Sequence, residues 1–293
     1  MIPVLLTQIK TRDSLILEGI YVKPKRKSKT ALIWLHGLSS RFSSGQDLIK
    51  ELSSRCRSRG IGYFKFNTRG HDIVTKGIKG HLSKSLIGSG FENFEDCVLD
   101  IKAMIRLARK LGFKNIVLAG HSTGANKALY YLYKTRDRSV KGLMLLGPMS
   151  DIVVEIKQKG MAGLKRGLAI AERLKRKNPL ALMPRHYGIY TASRYLSLCK
   201  EGLAEDVFQY YHTKSKWTAL KSVRVPMAVI IGSHDEHLDR KPQKLIEVFK
   251  RNAIKAKSFT GLTIKGASHG FQGREKELAG VMIRWIKDIL PKT

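Results

Sequence analysis

The stretch Gly120-His121-Ser122-Thr123-Gly124 constrains this chain more than any other. It follows the apolar run Asn115-Ile116-Val117-Leu118-Ala119 and precedes a helix-forming segment, Ala125 to Lys134. A strand that passes straight into a helix through G-x-S-x-G must turn sharply at the serine. The serine backbone is then strained and its hydroxyl stands clear of the sheet edge. Strand and helix pass so close that small residues are needed two before and two after it, and Gly120 and Gly124 supply them. The pentapeptide alone fits an ordinary tight turn equally well, so the remainder of the chain must decide.

Buried strands alternate with helices on both sides of this turn. Val4 to Lys10 and Leu15 to Val22 read as an opening antiparallel hairpin. Thr30 to Leu35 is a continuous apolar run, as expected of a strand covered on both faces, and ends in His36-Gly37-Leu38. Asp47 to Arg59 is helical in spacing and Gly60 stops it; Ile61 to Asn67 is the next strand, followed by Thr68-Arg69-Gly70-His71-Asp72. Gly77 to Gly90, rich in Gly and Ser, reads as a loop, and Phe94 to Gly112 as a long helix with its stop. Val140 to Leu146 is another buried strand. After a break, Val225 to Ile231, the helix Pro242 to Lys250, the edge strand Ser258 to Ile264 and the helix Phe271 to Leu290 complete the pattern. Such alternation predicts a mostly parallel α/β sheet of about eight strands, with ligands bound beyond the carboxyl ends of the strands.

The pattern lapses between Asp151 and Lys221. Ile156 to Lys177 is an amphipathic, basic helix ended by Asn178-Pro179; Tyr187 to Leu198 and Glu205 to Tyr211 offer two further helical segments. Residues 151–221 therefore read as a helical cap inserted into a core of residues 1–150 and 222–293.

Composition narrows the function classes. With 293 residues and 43% hydrophobic content, the chain can bury a large core and is not disordered. No run approaches the ~20 apolar residues of a membrane-spanning helix. Three cysteines without CxxC spacing, Cys56, Cys97 and Cys199, suggest neither a disulfide framework nor a zinc site, so a cytoplasmic location is the default expectation. The net charge of +32 would suit a polyanion partner, but the basic residues are spread along every segment and no nucleic-acid-binding motif accompanies them. The densest run, Lys23 to Lys29, reads as an exposed hairpin connection.

Ser122, Asp235 and His269 each follow a predicted strand, in the chain order Ser, Asp, His. A serine hydroxyl becomes a nucleophile when an imidazole takes its proton, and the imidazole needs a carboxylate to hold its tautomer. Glu236 and Asp239 are alternative acids; Asp235 is favoured because it follows the strand most directly. The cluster His234 to Asp239 lacks paired ligands at helical spacing, which argues against a metal, and no cofactor is implied. His71, His81, His186 and His212 have no comparable context and read as polar loop or cap residues. An oxyanion hole would draw on the backbone amides of Thr123 and of Leu38, after the His36-Gly37 strand end.

With His36-Gly37, Phe66 to His71, Gly120 to Gly124, Gly232-Ser233-His234-Asp235 and Ala267-Ser268-His269-Gly270 in place, the chain resembles an α/β-hydrolase over nearly its whole length. A narrower resemblance is to a poorly characterised branch of that superfamily which contains fungal siderophore esterases. It rests on His121 to Gly124 with Asn126, on Pro148-Met149-Ser150-Asp151, and on Thr191 to Leu198 with Glu205 to Phe208 beyond. The resemblance implies the α/β-hydrolase fold and a Ser122–His269–Asp235 triad. The expectation is a serine hydrolase acting on a small-molecule carboxylic ester through an acyl-enzyme. The same triad can serve amides, thioesters, carbon–carbon bonds or acyl transfer, and a non-catalytic polyanion-binding role is the remaining alternative. Lys165, Arg166, Arg185 and Arg194 in the basic cap suggest an anionic substrate.

Overall fold

In the computed structural model, residues 3–79, 83–212 and 214–290 are described. Ten strands and eight helices follow in the order β1 Leu5–Lys10, β2 Ile16–Val22, β3 Thr30–Leu35, α1 Gln46–Arg59, β4 Ile61–Phe66, β5 Thr75–Lys79, β6 Ser83–Ile87, α2 Cys97–Lys110, β7 Asn115–His121 and α3 Thr123–Thr135. Then come β8 Val140–Leu146, α4 Asp151–Lys177, α5 Ala192–Cys199, α6 Thr218–Lys221, β9 Met227–Gly232, α7 Pro242–Asn252, β10 Phe259–Ile264 and α8 Glu275–Ile289.

Eight strands form one sheet in the order β1-β2-β4-β3-β7-β8-β9-β10. The β1–β2 and β2–β4 pairs are antiparallel and all others parallel. The central strands are apolar over most of their length because both faces are covered. Ile33, Leu35, Ile116 and Leu118 pack with Ile101 and Met104 of α2, Leu129 of α3 and Phe249 of α7. Leu32, Trp34, Val117 and Ala119 point the other way, onto Leu52 of α1 and Met282 and Trp285 of α8. The strand order reverses between β3 and β7, so the crevice for a ligand opens where His36 and Ser122 leave the sheet.

At that point the backbone is packed to its limit. A Cβ on Gly120 would fall on the carbonyl of Gly124, and one on Gly124 would fall on the carbonyls of Leu35 and His36. Both glycines are required by the close approach of strand and helix, as the motif predicts.

Several expectations are corrected. The Gly- and Ser-rich segment 77–90 is largely a two-stranded hairpin, β5 pairing β6 antiparallel. Gly77 is there because a Cβ would crowd Leu15 and Ile87, at 2.9 and 3.0 Å, and not because the chain turns. His81 lies outside the described residues. Lys23 to Lys29 is exposed for the most part but is no hairpin connection, since β2 pairs with β4 and β3 lies beyond it. Helix α8 begins at Glu275; Phe271 has φ 58° and only its buried ring belongs to the apolar face. Helix α4 begins at Asp151, earlier than the apolar spacing suggests, and is interrupted at Gly160, whose φ of 69° lies outside the helical region.

Among the described residues of 151–221 there is no strand, only an isolated bridge between Leu182 and Thr191. Residues of α4 and α5 form a small apolar cluster with Leu164, Ala171, Tyr187 and Leu196. The segment expected as a third helix, Glu205 to Tyr211, is irregular, and Val207, Phe208 and Tyr210 are buried in the main core instead. The Phe208 ring lies 5.2 Å from that of Phe249.

A buried chain of charges ties α5 to the sheet. Lys127 of α3 donates to Glu92 at 2.7 Å; Arg194 of α5 donates to the other oxygen of Glu92 at 3.1 Å and clasps Glu205 with both terminal nitrogens. Its Nε donates to the Ser89 carbonyl at 2.9 Å. All four side chains are essentially without solvent exposure.

Gly124→Ala should cost about 3 kcal/mol or more in urea unfolding, because its obstacles are backbone oxygens that cannot repack. Gly280→Ala, within α8 and with nothing nearer than 3.6 Å, should be neutral or gain up to ~1 kcal/mol. Arg194→Met should cost about 3–5 kcal/mol by stranding Glu92 and Glu205. The double variant Arg194→Met/Glu205→Gln should lose less than the sum of the single changes.

Candidate active site

Ser122 sits between β7 and α3 with φ 55° and ψ −128°, a conformation that non-glycine residues avoid. Its amide donates to the Leu146 carbonyl of β8 at 2.9 Å, which pins the turn to the neighbouring strand. Its hydroxyl reaches the Met149 sulfur at 3.7 Å. A thioether is a weak acceptor, so the hydroxyl is held only lightly there.

His269 lies on the loop between β10 and α8, and Asp235 on the loop after β9. The imidazole Nδ1–H donates to Asp235 Oδ2 at 2.9 Å. The other carboxylate oxygen accepts from the His237 amide at 3.1 Å. Burial raises the Asp235 pKa, but the His269 hydrogen bond and nearby imidazoles outweigh it, and the group stays below the usual aspartate value. With Nδ1 committed as donor, Nε2 is the acceptor of the neutral ring, and it is buried without a hydrogen-bond partner among the described residues. Ser122, His269 and His237 all line one cavity of about 540 Å³.

Two residues that sequence reasoning did not assign fix the loop that carries His269. Glu236, weighed as an alternative acid, accepts from the His269 amide at 2.9 Å. His121 donates from Nε2 to the His269 carbonyl at 2.8 Å. Burial, and then the neighbouring His269, lower His121 to about 4, so it is a neutral donor. The signal for Glu236 was its adjacency to Asp235; for His121 only its place inside the motif hinted at a role. Asp239 pairs with Arg240 instead and takes no part.

The amides of Leu38 and Thr123 donate to no other group among the described residues, and both residues line the cavity. Gly37 brings that backbone against the serine: a Cβ there would stand 3.0 Å from Ser122 Cβ. His36 supports this loop from below. Its Nε2 accepts from the Thr68 amide at 2.9 Å and its Nδ1 donates to the Gly37 carbonyl at 2.9 Å. Burial, then Lys127, hold its pKa well below the ordinary histidine value.

Helix α4 forms one wall, with Asp151, Glu155 and Lys159 a turn apart; Tyr187, Tyr190 and Tyr195 also line the cavity. The basic residues expected to attract an anion are elsewhere. Lys165, Arg166 and Arg185 are exposed and do not line the cavity, and Arg194 is buried between Glu92 and Glu205. They read as one basic surface only because a linear sequence does not show which charges are internally neutralised. Of the remaining histidines, His71 donates to the Thr68 carbonyl, His212 is exposed beside Glu201, and His186 stands exposed at the cavity rim. Cys56, Cys97 and Cys199 are buried free thiols. Among the described residues no three His, Cys, Asp or Glu side chains are grouped to hold a metal, and no helix is long and apolar enough to cross a membrane.

Solved structures share this architecture. Est1E from Butyrivibrio proteoclasticus, with ferulic acid bound, matches 98% of this chain and 100% of its own at 16% identity, with a TM-score of 0.64. DcsB, in complex with a substrate analogue, matches 99% and 100% at 14% identity, TM-score 0.70. The Pyrococcus furiosus esterase Pf2001 matches 98% and 91% at 18% identity, TM-score 0.65. No curated protein matches the sequence. The model of one family, described as "Protein of unknown function (DUF1749)", matches residues 73–290. The chain has the α/β-hydrolase fold and belongs to the DUF1749 family.

Proposed function

We propose that this protein is a serine hydrolase that cleaves a small-molecule carboxylic ester through an acyl-enzyme. Ser122 is the nucleophile, His269 the general base and then acid, and Asp235 its orienting carboxylate. The observation that carries this reading is the buried Nε2 of His269, without a hydrogen-bond partner among the described residues, in the wall of the cavity that Ser122 lines, with Nδ1–H held by Asp235.

The steps balance on these groups. The Ser122 hydroxyl swings from Met149 and gives its proton to Nε2 as Oγ bonds to the ester carbonyl carbon. The carbonyl oxygen becomes an oxyanion, held by the Leu38 and Thr123 amides. Collapse breaks the bond to the alcohol oxygen, which leaves with the proton from Nε2. Water, deprotonated by Nε2, then attacks the acyl carbon; the second intermediate collapses and Ser122 recovers its proton. Asp235 stabilises the imidazolium in both halves without being protonated itself. The likeness to the esterase Pf2001 favours ester cleavage over the other bonds such a triad can attack.

A fluorophosphonate probe should label the folded wild-type protein at Ser122. Labelling should be abolished in Ser122→Ala and nearly so in His269→Ala, with circular dichroism confirming that both variants fold. Asp235→Asn should slow ester turnover by about 10⁴-fold, since an amide favours the wrong imidazole tautomer. An unlabelled wild type, or labelling that survives Ser122→Ala, refutes the assignment.

A further inference from the structure

The cavity beside Ser122 holds a carboxylate that the chemistry above does not use. Asp151 stands at the first position of α4, two residues beyond the Met149 sulfur that holds the Ser122 hydroxyl. Its neighbours are already satisfied. Glu155, one turn on, accepts from the Tyr195 hydroxyl at 2.9 Å and from Lys159 at 3.0 Å. Lys159 is the one lysine or arginine lining the cavity among the described residues, and its ammonium also lies 5.5 Å from the Tyr187 ring centre. Behind the wall, Arg194 is shared by Glu92 and Glu205, and Glu92 also holds Lys127.

The carboxylates Asp151, Glu155, Glu92 and Glu205 thus face three cations, Lys159, Arg194 and Lys127, and the unmatched one lines the cavity. Among the described residues the Asp151 side chain makes no hydrogen bond or ion pair to another residue, and Arg194, the cation whose charge it feels, is already clasped by Glu205 and Glu92. Acids are favoured in the first turn of a helix, but that preference is met equally by a side chain turned to water. Here the carboxylate is set beside the reactive serine in a cavity also lined by Tyr187, Tyr190 and Tyr195, whose rings suit a cation.

We propose that Asp151 selects esters that carry a protonated amine, binding the ammonium group as its missing counter-ion. This rests on the reading of Ser122 as the nucleophile. It reverses the charge expected from the basic surface.

The groups around Asp151 give its binding of a cation a pH signature. Burial first, and then Glu205, push Asp151 up to about 8; Glu155 acts in the same sense and Arg194 against it. The phenols of Tyr190 and Tyr210 and the Cys199 thiol also face it and are themselves raised by burial, with Asp151 adding to the shift. Below about 8 Asp151 is therefore a neutral acid, and binding of an ammonium group releases one proton. Preference for the amine should rise as the pH climbs through 8, until the amine itself loses its proton.

The test compares 4-nitrophenyl 4-(aminomethyl)benzoate with its neutral isostere, the 4-ethylbenzoate, and with the anionic 4-(carboxymethyl)benzoate. At pH 8.5 kcat/KM for the amine should exceed that for the isostere by about tenfold or more, as expected of a charge-assisted hydrogen bond. The ratio should fall towards one at pH 6. Asp151→Asn should bring the ratio close to one at every pH, whereas Asp151→Glu should restore part of it. A purely structural role would change both rates together and leave the ratio intact. Benzylamine binding to the Ser122→Ala protein, followed by calorimetry at pH 8.5, reads the carboxylate without requiring turnover. If no ester is cleaved but benzylamine binds and Asp151→Asn abolishes the heat, the reaction assigned to Ser122 fails and the cation site stands. A ratio at or below one, a preference for the carboxylate ester, a ratio that survives Asp151→Asn, or the absence of benzylamine binding overturns the proposal.

Discussion

The buried run Lys127–Glu92–Arg194–Glu205 is the interaction on which the shape of the cavity depends. Its first member lies on α3, the helix that begins just after Ser122, and its third lies on α5, which packs against α4. Apolar contacts alone are non-directional and would let α4 and α5 slide over the strand ends. A guanidinium clasped by Glu205, bonded to Glu92 and held at Nε by the Ser89 carbonyl has one acceptable position. Removing such charges from water is costly, so their net worth in stability is small relative to a well-packed apolar substitute. What they supply is register. They set how far the wall bearing Asp151 and Glu155 stands from the turn bearing Ser122.

Register matters equally on the other side of the cavity. The loop of His269 has its amide held by Glu236 and its carbonyl by His121, while its ring is held by Asp235. Two elements thus converge on the loop before α8: the end of β7 and the loop after β9. Adjacent carboxylates divide the work, Asp235 orienting the ring and Glu236 the backbone. Because His121 immediately precedes Ser122, the strained turn and the histidine loop move as a unit. A displacement of the imidazole relative to Ser122 would have to break the His121 hydrogen bond or disturb the φ of 55° at the serine.

What could be read in the sequence was whatever depends on periodicity and on backbone constraint. The central strands were legible because both faces are covered, which leaves uninterrupted apolar runs; β3 and β8 fall on the stretches expected from them. Gly120 and Gly124 announced the close approach because no other residue fits there. The β5–β6 hairpin was not legible, since Gly77 serves a side-chain contact with Leu15 while resembling a loop glycine. Phe271 extended the apparent apolar face of α8 although its backbone cannot be helical. Arg194 was misread for a deeper reason. A charged side chain looks the same in a sequence whether it faces solvent or is enclosed between carboxylates contributed from 102 residues upstream and 11 residues downstream.

Electrostatics act on two scales in this molecule. The +32 charge is distributed along the sequence, and its field decays over about 8–10 Å at physiological ionic strength. Within the cavity, direct contacts decide. Behind its wall Arg194 and Lys127 are already neutralised, and the group left unmatched on the wall is an acid, whose ionised form is opposite in sign to the surface. A long-range positive field concentrates anions near the protein and repels cations, which affects rates of encounter. It does not set which group is held once desolvated, because a buried partner is screened far less than a surface charge. Net charge therefore carries little information about substrate here. The informative quantity is which ionisable group of the cavity wall is left without a counter-ion after its internal pairs are matched, and on α4 that group is Asp151.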